Sequence, residues 1–264
     1  IENRVHDKGY SLIVCNHEGS KEKAERYLQR VAHEGVAGVI FSPIQLTGYK
    51  EINLNIVRQL EGHGIPFVLI ASPISGDTLC RYSFVSSNGF VATREIVRHL
   101  VGLGHRRIAY IRGFSEVFAA DERYAGFMEE MRRQELTVPE EYVRQIKVGD
   151  VNLQGRHEVR EILAGQPAPT AVICVHDMVA RNVIEEAGKI GLKVPDDLAV
   201  VGFDDAYFAA TLNPPLTTVR TPLAEEAAMD VEILLAKIDG TLKAERQEFL
   251  APTLVVRASC GAAL

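Results

Sequence analysis

A chain of 264 residues, 47% apolar and 24% charged, is long enough to bury a substantial core and has the composition of a globular protein. Its 35 acidic and 29 basic side chains leave a net charge of −6, which argues against nucleic-acid binding by this portion itself. No apolar run approaches the roughly 20 residues that span a bilayer, no secretory signal opens the chain, and the four cysteines form no CxxC pair. A reducing cytoplasm is the expected compartment.

In chain order, Ile1–Lys8 reads as the end of a helix stopped by Gly9. Tyr10–Cys15 is an expected strand, Lys21–His33 an amphipathic helix, and Val36–Phe41 a strand ending at Ser42-Pro43. A helix over Ile52–His63 and strands over Phe67–Ala71 and Tyr82–Ser86 follow. Phe90–Leu103 reads as a helix stopped by Gly104, and Arg107–Arg112 as a strand ending at Gly113. Arg123–Gln134 is a helix, Tyr142–Val148 a strand and Gln154–Ala164 a helix. Leu223–Asp239 is a helix stopped by Gly240, and Gln247–Arg257 a closing strand pair interrupted by Pro252. Cys15 and Cys174 fall inside apolar strands, where they act as small buried hydrophobes.

The segment between, from Pro169 to Val219, organises the rest. Ala171–Val175 is a β-branched strand ending in His176-Asp177; Met178–Ile190 has helical spacing; Leu198–Gly202 is a second strand ending in Phe203-Asp204-Asp205. Two parallel strands, each with an acid just past its carboxyl end, place those acids at the edge where open α/β sheets bind ligands. The sustained βα alternation predicts an α/β fold of mostly parallel sheets flanked by helices. There are too many strands for one sheet, so two similar Rossmann-like lobes are expected. The first takes residues 1–87 plus about 221–248, the second 88–220 plus about 249–264, with three crossings making a hinge and a ligand cleft between the lobes.

The strings Gly102–Tyr110 (GLGHRRIAY), Glu122–Phe127 (ERYAGF), Val194–Asp205 (VPDDLAVVGFDD), Pro215–Val219 (PLTTV) and Leu254–Ser259 (LVVRAS) follow one another. This ordered set resembles the effector-binding core of the lactose-repressor/galactose-repressor (LacI/GalR) family of bacterial transcription regulators. The resemblance covers essentially the whole chain. It implies a periplasmic-binding-protein-like fold, homodimerisation, a small effector (a sugar, a sugar derivative or a nucleobase-like compound), no cofactor and no membrane. It also implies that operator DNA is reached only through a helix-turn-helix headpiece, which this chain lacks together with the core's first strand.

Carried over by that resemblance, Arg123 clamps an effector hydroxyl or carboxylate with its planar fork, and Asp204 accepts hydrogen bonds from effector hydroxyls. The alternatives are a solvated first-turn arginine and a turn aspartate satisfying local N–H groups. Asp205 is the weaker candidate of the acidic pair. His176-Asp177 stands where relatives carry Asn-Asp; His176 faces the cleft and titrates near neutrality, and Asp177 either caps the following helix or binds. Ser42, Ser87 and Thr221 supply hydroxyls. Phe118, in the loop after Gly113, is an aromatic wall or a core plug. Ala71, Ser87 and Val151 stand where relatives place acids or a stacking aromatic, which weakens the case for an ordinary hexose.

The competing readings are a sugar-binding protein of transport or chemotaxis with the same fold, and an enzyme. The first needs a signal peptide. The second lacks GxxxxGK[ST], HExxH and GxSxG, and no nucleophile or metal set accompanies His176, Asp177 and Asp204.

Overall fold

The computed structural model describes residues 1–74, 81–147 and 155–262. The chain begins with helices α1 (Glu2–His6) and α2 (Lys21–Glu34), then strand β1 (Val39–Phe41), α3 (Lys50–Gly62), β2 (Phe67–Ile70) and β3 (Phe84–Ser87). It continues with α4 (Gly89–Gly102), β4 (Ile108–Arg112), α5 (Phe118–Arg133), β5 (Val143–Gln145), α6 (Arg156–Leu163), β6 (Ala171–Cys174), α7 (Asp177–Lys189) and β7 (Ala199–Val201). Strand β8 (Thr218–Arg220), helix α8 (Leu223–Ile238) and strands β9 (Gln247–Leu250) and β10 (Thr253–Val255) complete it.

The chain divides into two compact units. The first comprises Ile1–Ser87, Glu116–Phe118 and Pro222–Leu250; the second comprises Asn88–Ser115, Ala119–Thr221 and Ala251–Leu264. In the first unit an all-parallel sheet runs β1-β2-β3-β9. One apolar cluster joins Leu28, Ile56, Val57 and Leu60 to Phe41, Phe67, Leu69 and Phe84, and another joins Val68 and Val85 to Ile233 and Leu234 of α8. Alternate residues of β2 thus feed different clusters, as a strand covered on both faces requires.

In the second unit a parallel sheet runs β5-β4-β6-β7, and β8 pairs antiparallel with β10. Every residue of β6 and β7 is buried, which is why both read as unbroken apolar runs. Tyr110 stacks on Phe127 at 4.9 Å in a core shared with Ile96, Leu100, Met131 and Phe203. The string ERYAGF serves this packing: a Cβ on Gly126 would lie 2.3 Å from the carbonyl oxygen of Phe90, so glycine lets α5 approach α4.

Several expectations are corrected. Tyr10–Cys15 pairs with no strand among the described residues, and Leu12, Ile13 and Val14 lie exposed; β-branched residues favour a strand only where a neighbour completes its ladder. Cys15 is accordingly half-buried, whereas Cys174 is buried as expected. The closing strand pair is not a pair: β9 joins the first unit's sheet beside β3 and β10 joins β8, because Pro252 separates two segments with different partners. Helix α5 begins at Phe118, five positions before Arg123, so Phe118 is helical and Arg123 sits beyond the first turn. Tyr142 belongs to a short 3-10 turn before β5. Cys80, Val148, Val151 and Gln154 lie outside the described residues. Among the described helices none is long and apolar enough to cross a membrane.

Candidate functional site

In the second unit the carboxyl ends of the parallel strands carry the polar groups. Strand β6 runs through Val175 into His176, and β7 runs through Gly202 into Phe203-Asp204-Asp205. From α5, Arg123 reaches both. Its Nη1 donates to the Val175 carbonyl at 2.5 Å and its Nη2 to Asp204 Oδ1 at 3.1 Å. Its guanidinium carbon lies 3.6 Å from the centre of the Phe203 ring, a cation–π geometry that fixes the fork flat on an apolar floor. Gly89 leaves room for the stem, since a Cβ there would come within 3.0 Å of Arg123 Cγ. The Arg123 side chain is 15% exposed and the Asp204 side chain 45%, so the pair opens to solvent through the carboxylate.

His176, not Asp177, caps α7: its Nδ1 accepts from the Val179 N–H at 3.4 Å. Nδ1 as acceptor leaves the proton on Nε2 as a donor. Burial pulls the imidazole below its usual range; Asp204 pulls it up and Arg123 pushes it down again. The net direction is downward, so burial makes His176 harder to protonate than an exposed histidine.

Asp177 is 1% exposed and neither caps nor faces solvent. Its carboxylate accepts from the Ala206 N–H and the Thr218 hydroxyl, each at 2.6 Å, and so ties the start of α7 to the turn after β7 and to β8. Burial raises its pKa to about 6 against these two bonds. Gly202 is what admits the carboxylate, since a Cβ there would stand 2.2 Å from Asp177 Oδ1.

Asp205 is also structural. It accepts from Arg220 Nε and Arg257 Nη2, each at 2.7 Å. Burial pushes its carboxyl up, but the two guanidinium groups outweigh it and hold the carboxyl below the usual range. Arg257 and Ser259 extend the same wiring: Arg257 donates to the Leu216 carbonyl, and the Ser259 hydroxyl donates to the Val200 carbonyl and accepts from the Thr217 N–H. The strings PLTTV and LVVRAS are thereby explained as supports of the β7 end. Thr221, half-buried, follows β8 directly.

The remaining candidates belong to the first unit. Ser42, exposed after β1, uses its carbonyl to accept from His17 Nε2 at 3.2 Å, consistent with His17 Nδ1 accepting from the Gly19 N–H. Ser87 ends β3, and its hydroxyl donates to Glu226 on α8. The Phe118 ring stacks on Phe249 at 6.2 Å. Strand β2 ends at Ala71, whose φ is +66°.

The structure therefore brings Arg123, His176 and Asp204 together and turns Asp177 and Asp205 inward. Phe203 as the floor beneath Arg123 was missed by residue-type reasoning; the only sequence sign was its place in the strand end before the two acids. Among the described residues no three His, Cys, Asp or Glu side chains group as metal ligands.

Residues 97–260 match the periplasmic binding protein-like domain family. The HTH-type transcriptional repressor PurR of Vibrio vulnificus (strain CMCP6) is 30% identical over 97% of this chain and 74% of its own length. The HTH-type transcriptional regulator MalR of Streptomyces coelicolor (strain ATCC BAA-471 / A3(2) / M145) is 31% identical over 97% of this chain and 73% of its own. A solved transcriptional regulator CelR–cellobiose complex superposes with a TM-score of 0.82 at 27% identity, covering 91% of this chain and 71% of that one. These relatives are regulators rather than transport proteins or enzymes. The chain belongs to the LacI-type family of transcriptional regulators, and it carries the periplasmic-binding-protein-like core by which that family senses effectors.

Proposed function

We propose that the core senses a small hydroxylated effector, a sugar or sugar-like molecule, at the carboxyl ends of β6 and β7. The observation that carries this reading is the Arg123 guanidinium, held on the Phe203 ring and to the Val175 carbonyl with the half-exposed Asp204 carboxylate beside it. A flat fork of donors next to an acceptor matches adjacent hydroxyls, which both donate and accept. His176 adds a donor at Nε2. In the first unit Ser42 and Ser87 offer hydroxyls and Phe118 an aromatic face; in the second unit Thr221 offers a hydroxyl just past β8. Support from relatives is direct for the class: the CelR complex holds cellobiose, a sugar.

The regulator acts in the cytoplasm as a homodimer. Effector binds one of two states of the core more tightly and shifts their populations; the shift alters operator binding by a helix-turn-helix segment of the kind named in the relatives.

A thermal-shift screen against pentoses, hexoses and nucleosides tests this. A true effector raises the melting temperature by several degrees at saturation. Arg123→Ala and Asp204→Ala each remove charge-assisted bonds worth about 1.5–3 kcal/mol, so affinity falls roughly 10- to 100-fold with the circular-dichroism spectrum unchanged. Normal affinity in either variant overturns the assignment.

A further inference from the structure

Helix α8 carries two acids one turn apart on the face that packs on β2 and β3. Glu226 is 3% exposed and Asp230 0% exposed. Two other buried carboxyl groups meet strong donors: Glu130 meets Arg94 and Arg98, and Glu186 meets Arg156, Arg160 and Lys189. Asp230 is different. It is the one buried carboxyl among the described residues whose two oxygens are both shut off from solvent and both without a hydrogen-bond partner. A buried acid left in this condition is costly unless something pairs with it.

The surroundings say what kind of group fits. Ser87, at the carboxyl end of β3, donates its hydroxyl to Glu226, which links the pair to the strand edge where open α/β sheets take ligands. Two carboxylates and a hydroxyl offer three oxygen-bearing acceptors, the number of N–H donors on a primary ammonium. A hard divalent cation asks for six or more oxygens and finds no third metal-capable side chain here among the described residues.

We propose that Ser87, Glu226 and Asp230 form a receptor site for a primary ammonium group, borne by an amine-containing effector such as an amino sugar. The proposal deepens, and rests on, the reading of this core as an effector sensor. Burial, reinforced by Glu226, pushes Asp230 up to about 8, so the ligand-free chain holds a proton there near neutrality. The ammonium takes that proton's place, and the proton passes to the buffer.

The test uses the full chain and two salts, methylammonium chloride and tetramethylammonium chloride, the second lacking N–H donors. Methylammonium is expected to raise the melting temperature more than tetramethylammonium, and calorimetry in buffers of different ionisation enthalpy is expected to register proton release. Glu226→Gln and Asp230→Asn should each abolish the difference. Equal shifts from both salts in the unaltered chain, a comparison that needs no variant, overturn the proposal and leave Asp230 holding only a proton. So does a difference that survives in Asp230→Asn. A neutral sugar whose binding depends on Arg123, together with equal salt shifts, keeps the sensor reading and removes the ammonium site. An Asp230-dependent ammonium shift with no Arg123-dependent sugar removes the sensor reading and keeps the ammonium site.

Discussion

Phe203, Asp204 and Asp205 are consecutive, yet each does something different: a floor for Arg123, an open acceptor beside it, and an inward clamp on Arg220 and Arg257. Both aspartates have positive φ, +102° and +51°, a conformation that Asp tolerates better than most residues and that turns successive carboxylates to different sides. Buried acids also set the pH response. Asp230 has a folded pKa of about 8, above its usual 3.8, so the folded state binds more protons than the unfolded state between those values. Stability from this group is therefore full below about pH 4 and is lost as pH rises through 8. Asp177, raised to about 6, acts in the same direction over a lower window, and His176, whose pKa is lowered, acts in the opposite sense as pH falls. The difference between Asp230→Asn and the unaltered chain isolates Asp230: the variant should gain melting temperature at pH 8 and lose that gain by pH 4. A gain independent of pH would show that Asp230 is ionised throughout. Asp204 was legible from its place just past a strand end, and Arg123 only through the family resemblance. Neither signal revealed that His176 takes the cap and Asp177 turns inward, because that choice depends on Thr218 and Ala206, distant in sequence.

At the scale of elements, helix α5 connects fold to site. Its Phe127 fills the core, its Gly126 sets the distance to α4, and its Arg123 extends to the strand ends. Gly126→Ala places a methyl group 2.3 Å from a backbone oxygen, which no side-chain rotation relieves. Overpacking of this kind costs about 1–3 kcal/mol, so the melting temperature should fall by several degrees, and any Arg123-dependent effector response should weaken with it. An unchanged melting temperature would mean that α4 and α5 separate freely. Most elements were legible because period and punctuation agree: Gly104, Gly191 and Gly240 stand just past α4, α7 and α8, and β6 and β7 are apolar throughout. The failures share one cause. Tyr10–Cys15 and the β9–β10 segment have strand composition, but strands are defined by partners, and neither the absence of one nor the choice between two is written locally.

For the whole molecule, what matters is that neither unit is a continuous stretch of chain. The first unit's sheet ends in β9, and one of its two apolar clusters is completed by α8, both from Pro222–Leu250. A fragment of residues 1–87 should therefore show no cooperative thermal transition by circular dichroism, whereas the 264-residue chain should. Cooperative unfolding of the fragment would mean that β1, β2 and β3 suffice. The segment Pro222–Leu250 leaves the second unit just after β8 and returns just before β10, and those two strands are zipped together in antiparallel register. Asp205 grips Arg220 on the outgoing strand and Arg257 shortly after the returning one. One carboxylate thus acts as a clasp on a long excursion. It holds both stems together at the base of that excursion, so much of the loop-closure entropy of α8 and β9 is met by the second unit's own packing.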